Sequence, residues 1–167
     1  KLDQMLAEED WKNKFHFTYI GNVPAGFKFY NATHLPPVSG SELASLLSTQ
    51  HVYITGSKNE PAGMHHIEGA MCGLPLIYRR SGALPEYCNG FGLEFDKVEE
   101  IPSALRTMME DFPKFKNRMT SYPHNSNRMC AQYIRLFEDL YAERNSILRH
   151  RQIWRKPWMV LRNQIPI

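Results

Sequence analysis

Short apolar runs alternate with longer segments of helical spacing along most of the chain. The short runs are rich in β-branched and aromatic residues and are bounded by Gly, Pro, Asn or Ser, which is typical of strands. They predict strands at Phe15–Ile20, Phe27–Tyr30, His51–Thr55, Leu74–Tyr78 and Gly92–Phe95. The longer segments predict helices at Leu2–Asn13, from Ser39 or Ser41 to Ser48, and at Pro61–Cys72, Ala83–Cys88 and Ile101–Phe112.

Strands separated by helices of about ten residues are typical of parallel β-α-β units. Crossovers of this kind are right-handed, so the helices cover both faces of the sheet. The sequence therefore predicts an α/β fold built on a doubly wound parallel sheet. Ligands of such sheets bind beyond the carboxyl ends of the strands, and the loop after His51–Thr55 lies at that place.

The pattern changes after Phe112. One long amphipathic helix is predicted at Asn127–Leu148, with an apolar stripe of Met129, Tyr133, Ile134, Phe137, Leu140 and Tyr141. The residues Arg149–Ile167 are basic and aromatic, and Pro157 breaks any helix there. We therefore expect one domain over residues 1–125 and a C-terminal helix with a tail over residues 126–167.

Composition is that of one ordinary globular domain of 167 residues, but the net charge of +3 is unevenly spread. From Arg144 onward there are six Lys or Arg and no Asp or Glu, whereas the residues before it hold 14 basic and 17 acidic groups. No apolar run approaches the ~20 residues that span a bilayer, and no secretory signal is recognisable. We expect a cytoplasmic protein, with the inner membrane surface as the alternative location. The three cysteines lack zinc-site spacing, which favours buried reduced thiols.

Candidate chemistry concentrates between Glu60 and Glu68. Glu60 precedes the predicted helix and Glu68 lies two turns inside it, so two carboxylates could accept the vicinal hydroxyls of a sugar and a ribose. Gly63 has no Cβ and would let a ligand approach the backbone of the first turn. The free N–H groups of residues 63–66 would suit a diphosphate.

The segment E-P-A-G-M-H-H-I-E, followed by G-A-M-C-G-L-P-L-I-Y-R-R-S-G-A-L-P-E-Y, resembles the Glu–x7–Glu motif of glycosyltransferase family 4 (group 1). The residues in register are Glu60, Gly63, Glu68, Ala70, Met71, Gly73, Pro75, Gly82 and Glu86. The resemblance covers about residues 1–110. Ala62 stands where the family often has Phe, and Ala83 replaces the second Gly of a Gly-Gly pair.

The resemblance implies the donor-binding second half of a retaining enzyme with two Rossmann-like domains, the GT-B fold. Glu60 would be catalytic, beside the donor sugar, and Glu68 would bind the ribose. The donor sugar and diphosphate would contact Gly63, Met64, His65, His66, Ser81 and Gly82. Such enzymes usually use neither a metal ion nor another cofactor.

The implied partners are a UDP-, GDP- or ADP-linked sugar and a glycan or glycolipid acceptor. The resemblance also implies an N-terminal acceptor domain, a first strand and a phosphate-binding loop upstream, with Lys1 near the end of that loop. The isolated chain is then expected to be inactive. A sugar-nucleotide epimerase of the same architecture, or a non-catalytic sugar-nucleotide-binding module, are the alternatives.

Plainer interpretations stay open for several residues. Glu60 and Glu68 could be surface carboxylates, and Arg79 and Arg80 could either bind phosphate or be loop charges. Adjacent histidines on a helix point to different faces, which argues against a metal site at His65-His66. The tail could pack on another domain, contact a membrane peripherally through residues 149–162, or be solvated; nothing favours nucleic-acid binding.

Overall fold

A computed structural model of the protein describes residues 1–150 and Trp158. The chain divides into two compact units, residues 1–122 and residues 123–167. The prediction that residues 149–162 contact another domain or a membrane falls outside the described residues, except for Arg149, His150 and Trp158.

The first unit is a parallel α/β structure, as the sequence predicts. Its strands are β1 (Thr18–Ile20), β2 (Thr33–Leu35), β3 (Tyr53–Thr55), β4 (Leu76–Arg79) and β5 (Gly92–Phe95). Its helices are α1 (Leu2–Met5), α2 (Gly40–Ser48), α3 (His65–Met71), α4 (Leu84–Cys88), α5 (Ile101–Glu110) and α6 (Phe112–Arg118). The strands form two sheets, in the orders β1-β2 and β3-β4-β5, and every pairing is parallel.

Helices cover both faces of the three-stranded sheet, because alternate residues of β4 enter two different cores. Ile77 belongs to one core, which also contains Phe95, Met108 of α5 and Met5 of α1. Leu76 and Tyr78 belong to the other core, whose further members are Ala70, Leu84, Cys88, Met119 and Tyr122. The doubly wound arrangement predicted from the alternating pattern is confirmed.

Two glycines set how closely the elements of this sheet pack. A Cβ on Gly92 would overlap the backbone carbonyl of Leu76 on the neighbouring strand. A Cβ on Gly69 of α3 would press into the ring of Tyr53 on β3. The absence of side chains here lets β5 lie against β4 and α3 lie against β3.

The predicted helix Leu2–Asn13 is wrong in length, since α1 ends at Met5. The following residues form successive turns, in which Glu8 N–H donates to Met5 C=O and Trp11 N–H donates to Glu8 C=O, both at 2.9 Å. These bonds span three residues instead of four, and Asn13 has a φ of 61°, which no α-helix accommodates.

The predicted strand Phe27–Tyr30 is wrong, and the second strand lies at Thr33–Leu35. The carboxylate of Asp3 accepts hydrogen bonds from the backbone N–H groups of three consecutive residues, Tyr30, Asn31 and Ala32. A backbone bound in this way cannot join a strand ladder, and pairing with β1 begins only at Thr33. The N–H bonds hold the pKa of Asp3 below its usual range, against a raising effect of burial.

Two further helices of the first unit have limits that differ from the prediction. The helix predicted at Pro61–Cys72 begins at His65, which leaves residues 60–64 in a loop. The helix predicted at Ile101–Phe112 ends at Glu110, and a separate helix follows with Pro113 in its first turn.

The second unit contains α7 (Ser126–Ala142) and α8 (Arg144–His150), so the single helix predicted at Asn127–Leu148 is interrupted at Glu143. Asn125 caps α7 by accepting a hydrogen bond from Arg128 N–H at 2.9 Å. The three cysteines are free, but Cys130 is exposed because α7 buries none of its residues, which corrects the expectation of buried thiols. Among the described residues, no helix is long and apolar enough to cross a membrane.

We predict that Gly92→Ala lowers the free energy of unfolding by about 3 kcal/mol or more, because the new Cβ must displace the backbone of Leu76. Urea unfolding followed by circular dichroism measures this change. Gly56→Ala is the matched control, since its Cβ would meet nothing within 4 Å and its φ is not positive. Equal stabilities of the two variants would contradict the tight packing of β5 on β4.

Candidate functional site

The predicted site residues lie on two loops at the carboxyl edge of the three-stranded sheet. One loop follows β3 and runs from Gly56 to Met64, and the other follows β4 and contains Ser81, Gly82 and Ala83. Because β3 and β4 are parallel neighbours, both loops leave the same edge of the sheet.

The turn after β4 holds the loop after β3 by its backbone. The N–H of Ala83 donates to the Glu60 carbonyl at 2.8 Å, and the N–H of Asn59 donates to the Ser81 hydroxyl at 2.8 Å. Gly82 has a φ of +59°, and a Cβ there would overlap the backbone of Glu60. The turn thus fixes the backbone of Glu60, and the structure brings Ser81, Gly82 and Glu60 together.

Gly63 accommodates the side chain of Glu60. A Cβ on Gly63 would stand 2.7 Å from the Glu60 carboxyl carbon, Cδ. The sequence predicts Gly63 in the first helical turn, open to a ligand, but the residue lies in the loop before α3. Its lack of a side chain makes room for the catalytic candidate, because the loop folds back on itself between residues 60 and 63.

His65 joins Glu60 to the sheet. Its Nε2 is 3.8 Å from Oε2 of Glu60 and 3.4 Å from the hydroxyl oxygen of Ser57. Its Nδ1 is 3.1 Å from the hydroxyl oxygen of Tyr53, and the two rings stack with centroids 6.1 Å apart. His65 and Glu60 are both partly exposed, so a ligand can reach this pair.

Tyr53 and Ser57 are site residues that sequence reasoning missed. Tyr53 occupies β3 two residues before the strand ends, on the face that carries α3, and this alternation is the signal that could have found it. Burial, followed by the negative charge of Glu68, raises the pKa of Tyr53 to about 12. The phenol beside His65 is therefore neutral at physiological pH.

His66 lies in the protein interior. Its side chain is fully buried, with ring centroids 5.4 Å from Tyr87 and 5.1 Å from His65. A donor contact by the His66 side chain is therefore excluded in this conformation, whereas its backbone N–H lies in the first turn of α3. The two histidines diverge, as their spacing predicts.

The first-turn amides are shifted from the predicted range of residues 63–66. Because α3 begins at His65 and Glu68 N–H donates to the Met64 carbonyl at 2.9 Å, the first-turn N–H groups are those of residues 65–67. Met64 is the residue before the helix, and its side chain is 56% exposed.

Glu68 faces a cavity of about 300 Å³ that Tyr53 and His65 also line. Glu60 is not part of the cavity wall, so the two glutamates occupy separate places with His65 between them. Arg80 pairs with Glu94 at 3.1 Å and Asp96 at 3.3 Å, which favours the loop-charge alternative for that residue. Among the described residues, no group of three or more His, Cys, Asp or Glu side chains is placed to hold a metal ion.

No protein-family model matches the chain, and neither does any curated protein. Among solved structures, the chain is similar to a sucrose-phosphate synthase from Thermosynechococcus elongatus, with a TM-score of 0.57 and 19% identity. The match covers 75% of this chain and 38% of the synthase. At this identity the likeness establishes the fold, and the prediction of a Rossmann-like α/β structure of the GT-B type is confirmed.

We predict that Gly82→Ala lowers the free energy of unfolding by about 3 kcal/mol, since a strained φ and an overlap with the Glu60 backbone add together. Hydrogen exchange of the Ala83 N–H, measured by NMR, should accelerate in the variant. Gly40→Ala is the matched control, because Gly40 has the same φ of +59° with nothing within 4 Å of its Cβ position. Equal losses of stability in the two variants would show that Gly82 does not pack against the backbone of Glu60.

We predict that stability falls between about pH 10 and about pH 12 as the buried tyrosines ionise. The folded-state pKa values of Tyr53 and Tyr78 are raised from 10.0 to about 12, so their contribution is complete below pH 10 and is lost as the pH rises towards 12. Urea unfolding across this range measures the slope. Tyr53→Phe should reduce the slope of stability against pH, since Tyr78 alone of this pair then contributes. Tyr30→Phe, at a residue that is 84% exposed, should leave the slope unchanged.

Proposed function

We propose that this chain supplies the donor site of a retaining glycosyltransferase, which moves a hexose from a nucleotide-diphosphate sugar to a glycan or glycolipid acceptor. One observation carries the proposal. Glu60, the first glutamate of the Glu–x7–Glu pattern, is fixed at the carboxyl edge of a parallel sheet by the turn that contains Ser81 and Gly82. Ligands of open parallel sheets bind at this edge.

The distribution of groups suits a long, two-ended ligand. A nucleotide sugar carries vicinal hydroxyls at its sugar and at its ribose, separated by a diphosphate. Glu60 and Glu68 offer a carboxylate at each of two separate places, and the first turn of α3 lies between them with its backbone N–H groups. Carboxylates accept hydroxyl donors in pairs, and amides at a helix start favour phosphate oxygens.

The proposed reaction breaks the bond between the anomeric carbon and the diphosphate oxygen and forms a bond from that carbon to an acceptor hydroxyl on the same face. The leaving phosphate takes the proton of the acceptor. Glu60 is proposed to position the donor sugar, with its carboxylate in the space that Gly63 leaves open and its Oε2 3.8 Å from His65 Nε2. No metal ion or cofactor is part of the proposal.

The acceptor is proposed to bind an N-terminal domain of the same enzyme. The match covers 38% of the sucrose-phosphate synthase that the chain resembles in fold, which supports placing the acceptor contacts on a further domain.

We predict that the full-length protein binds one of UDP-, GDP- or ADP-linked hexoses, and that Glu68→Ala weakens this binding at least about tenfold, since one charged hydrogen-bonding group is lost. Isothermal titration calorimetry with each nucleotide sugar measures the affinity. Glu110→Ala, an exposed carboxylate on α5, is the control and should bind as the unaltered protein does.

Three outcomes would overturn the proposal. The first is an absence of binding by the full-length protein to all three classes of nucleotide sugar at millimolar concentration. The second is a Glu68→Ala variant with unchanged affinity, which would remove Glu68 from the donor site. Conversion of the donor sugar without an acceptor, detected by NMR of the product, would identify an epimerase instead.

A further inference from the structure

Tyr53 carries its phenol hydroxyl to a fixed position beside the start of α3. The backbone of Tyr53 is held in the sheet, since its N–H donates to the Pro75 carbonyl at 2.9 Å. Its ring packs against α3 at Gly69, where a Cβ would overlap it. The hydroxyl oxygen lies 3.1 Å from Nδ1 of His65, twelve residues further along the chain. A strand backbone and a packed ring thus set where this hydroxyl stands relative to the imidazole.

The hydroxyl of Tyr53 keeps its proton at physiological pH. Burial, followed by the negative charge of Glu68, raises the pKa of Tyr53 to about 12. A neutral phenol can donate its hydrogen bond or accept one. The groups around the second ring nitrogen of His65 decide which of the two occurs here.

Two side-chain oxygens lie near Nε2 of His65. Oε2 of Glu60 is 3.8 Å away, and the hydroxyl oxygen of Ser57 is 3.4 Å away. An ionised carboxylate can only accept hydrogen bonds, whereas a hydroxyl can accept or donate. A lone pair on Nε2 would be repelled by the carboxylate, while an N–H there is attracted to it. The surroundings of Nε2 therefore favour the tautomer that carries its proton on Nε2.

The surroundings of the two ring nitrogens favour the same tautomer. In a neutral imidazole, one nitrogen is a donor and the other is an acceptor. With the proton on Nε2, Nδ1 accepts, and the phenol of Tyr53 supplies a donor at 3.1 Å. The opposite tautomer would turn Tyr53 into an acceptor and would direct the Nε2 lone pair towards Glu60.

The spacing of His65 and Glu60 suits one shared hydroxyl. Their separation of 3.8 Å exceeds the roughly 2.7–3.2 Å of a hydrogen bond, so the two side chains are not bonded directly. One oxygen atom can nevertheless lie about 2.8 Å from both Nε2 and Oε2. A hydroxyl in that place would accept from His65 and donate to Glu60. Both side chains are partly exposed, at 34% and 26%, so a ligand can reach them.

We propose that Tyr53 is a positioning residue of the candidate site and acts through His65. Its phenol donates to Nδ1 and so keeps the imidazole proton on Nε2, beside Glu60. The N–H donor and the carboxylate acceptor together hold one hydroxyl of the donor sugar, a step that rests on the proposed function. A sugar that lacks this hydroxyl offers neither bond, so the two side chains select a hydroxylated donor over its deoxy analogue.

The tautomer of His65 tests the role of Tyr53 without any ligand. Long-range proton–nitrogen correlation spectra of the full-length protein show which ring nitrogen carries the proton, at a pH where the ring is seen to be neutral. The signals of His65 are those missing from His65→Gln. The ratio of the Nε2–H to the Nδ1–H tautomer should fall at least about threefold in Tyr53→Phe, because one hydrogen bond to Nδ1 is lost.

Tyr19→Phe is the matched control for this measurement. Tyr19 is also a strand tyrosine, but its hydroxyl donates to the Asn22 carbonyl at 3.1 Å. Its removal should leave the tautomer ratio of His65 unchanged. Tyr53→Phe keeps the ring that packs on Gly69, so a changed ratio reports the loss of the hydroxyl and not a loss of packing.

Affinity measurements test the shared hydroxyl. Isothermal titration calorimetry compares the nucleotide hexose that the full-length protein binds with the corresponding nucleoside diphosphate, which lacks the sugar. His65→Leu should weaken binding of the nucleotide sugar at least about fivefold, since one hydrogen bond is lost. Binding of the diphosphate should not change. His65→Gln, which keeps a side-chain N–H donor, should recover most of the affinity, and the deoxy analogue should bind the unaltered protein more weakly.

The inference fails on any of three results. The first is a tautomer ratio that is equal in Tyr53→Phe and in the unaltered protein, and the second is a His65 proton that resides mainly on Nδ1. The third is a His65→Leu variant that binds the nucleotide sugar as before, or that loses affinity for the diphosphate equally. A protein that binds no nucleotide sugar would overturn the proposed function and the shared hydroxyl with it, whereas the tautomer ratio would still decide the role of Tyr53.

Discussion

The grip of the Ser81–Gly82–Ala83 turn on the backbone of Glu60 is the constraint on which the candidate site depends. Two hydrogen bonds of 2.8 Å and the contact at Gly82 attach the loop after β3 to the loop after β4. With its backbone fixed, Glu60 can direct its carboxylate over Gly63 and towards His65. A loop held only at its ends would sample many conformations and would pay conformational entropy on binding a ligand.

His65 extends this constraint into the sheet. Its ring contacts Tyr53, Ser57 and Glu60, and it also lines the cavity that Glu68 faces. The histidine is therefore the side chain that links the two glutamates, although only Glu68 lines the cavity. Because Tyr53 stays neutral, its hydroxyl keeps a proton that it can donate to Nδ1 of His65, 3.1 Å away.

Local sequence signals were sufficient where neighbours in the chain determine the structure. The strand Gly92–Phe95 has the predicted limits, and the Glu60 and Gly82 loops meet because parallel strands bring their ends together. The strand at Phe27–Tyr30 failed because its backbone is bound by Asp3, which is 27 residues from Tyr30 in the chain. No local pattern reports such a contact. The predicted start of α3 is too early for two reasons. Pro61 is as common in loops as in first helical turns, and Gly63 lies against the side chain of Glu60 in the loop before the helix.

The alternation of Leu76, Ile77 and Tyr78 has a consequence for cooperativity. One strand contributes to both hydrophobic cores, so neither core can loosen without releasing side chains that hold β4 in register for the other. The two faces of the sheet then behave as a single folding unit, and partial melting is restricted to the periphery. The loops of the candidate site leave the ends of β3 and β4, so their points of attachment are rigid. Their remaining freedom lies in the side chains that meet the ligand.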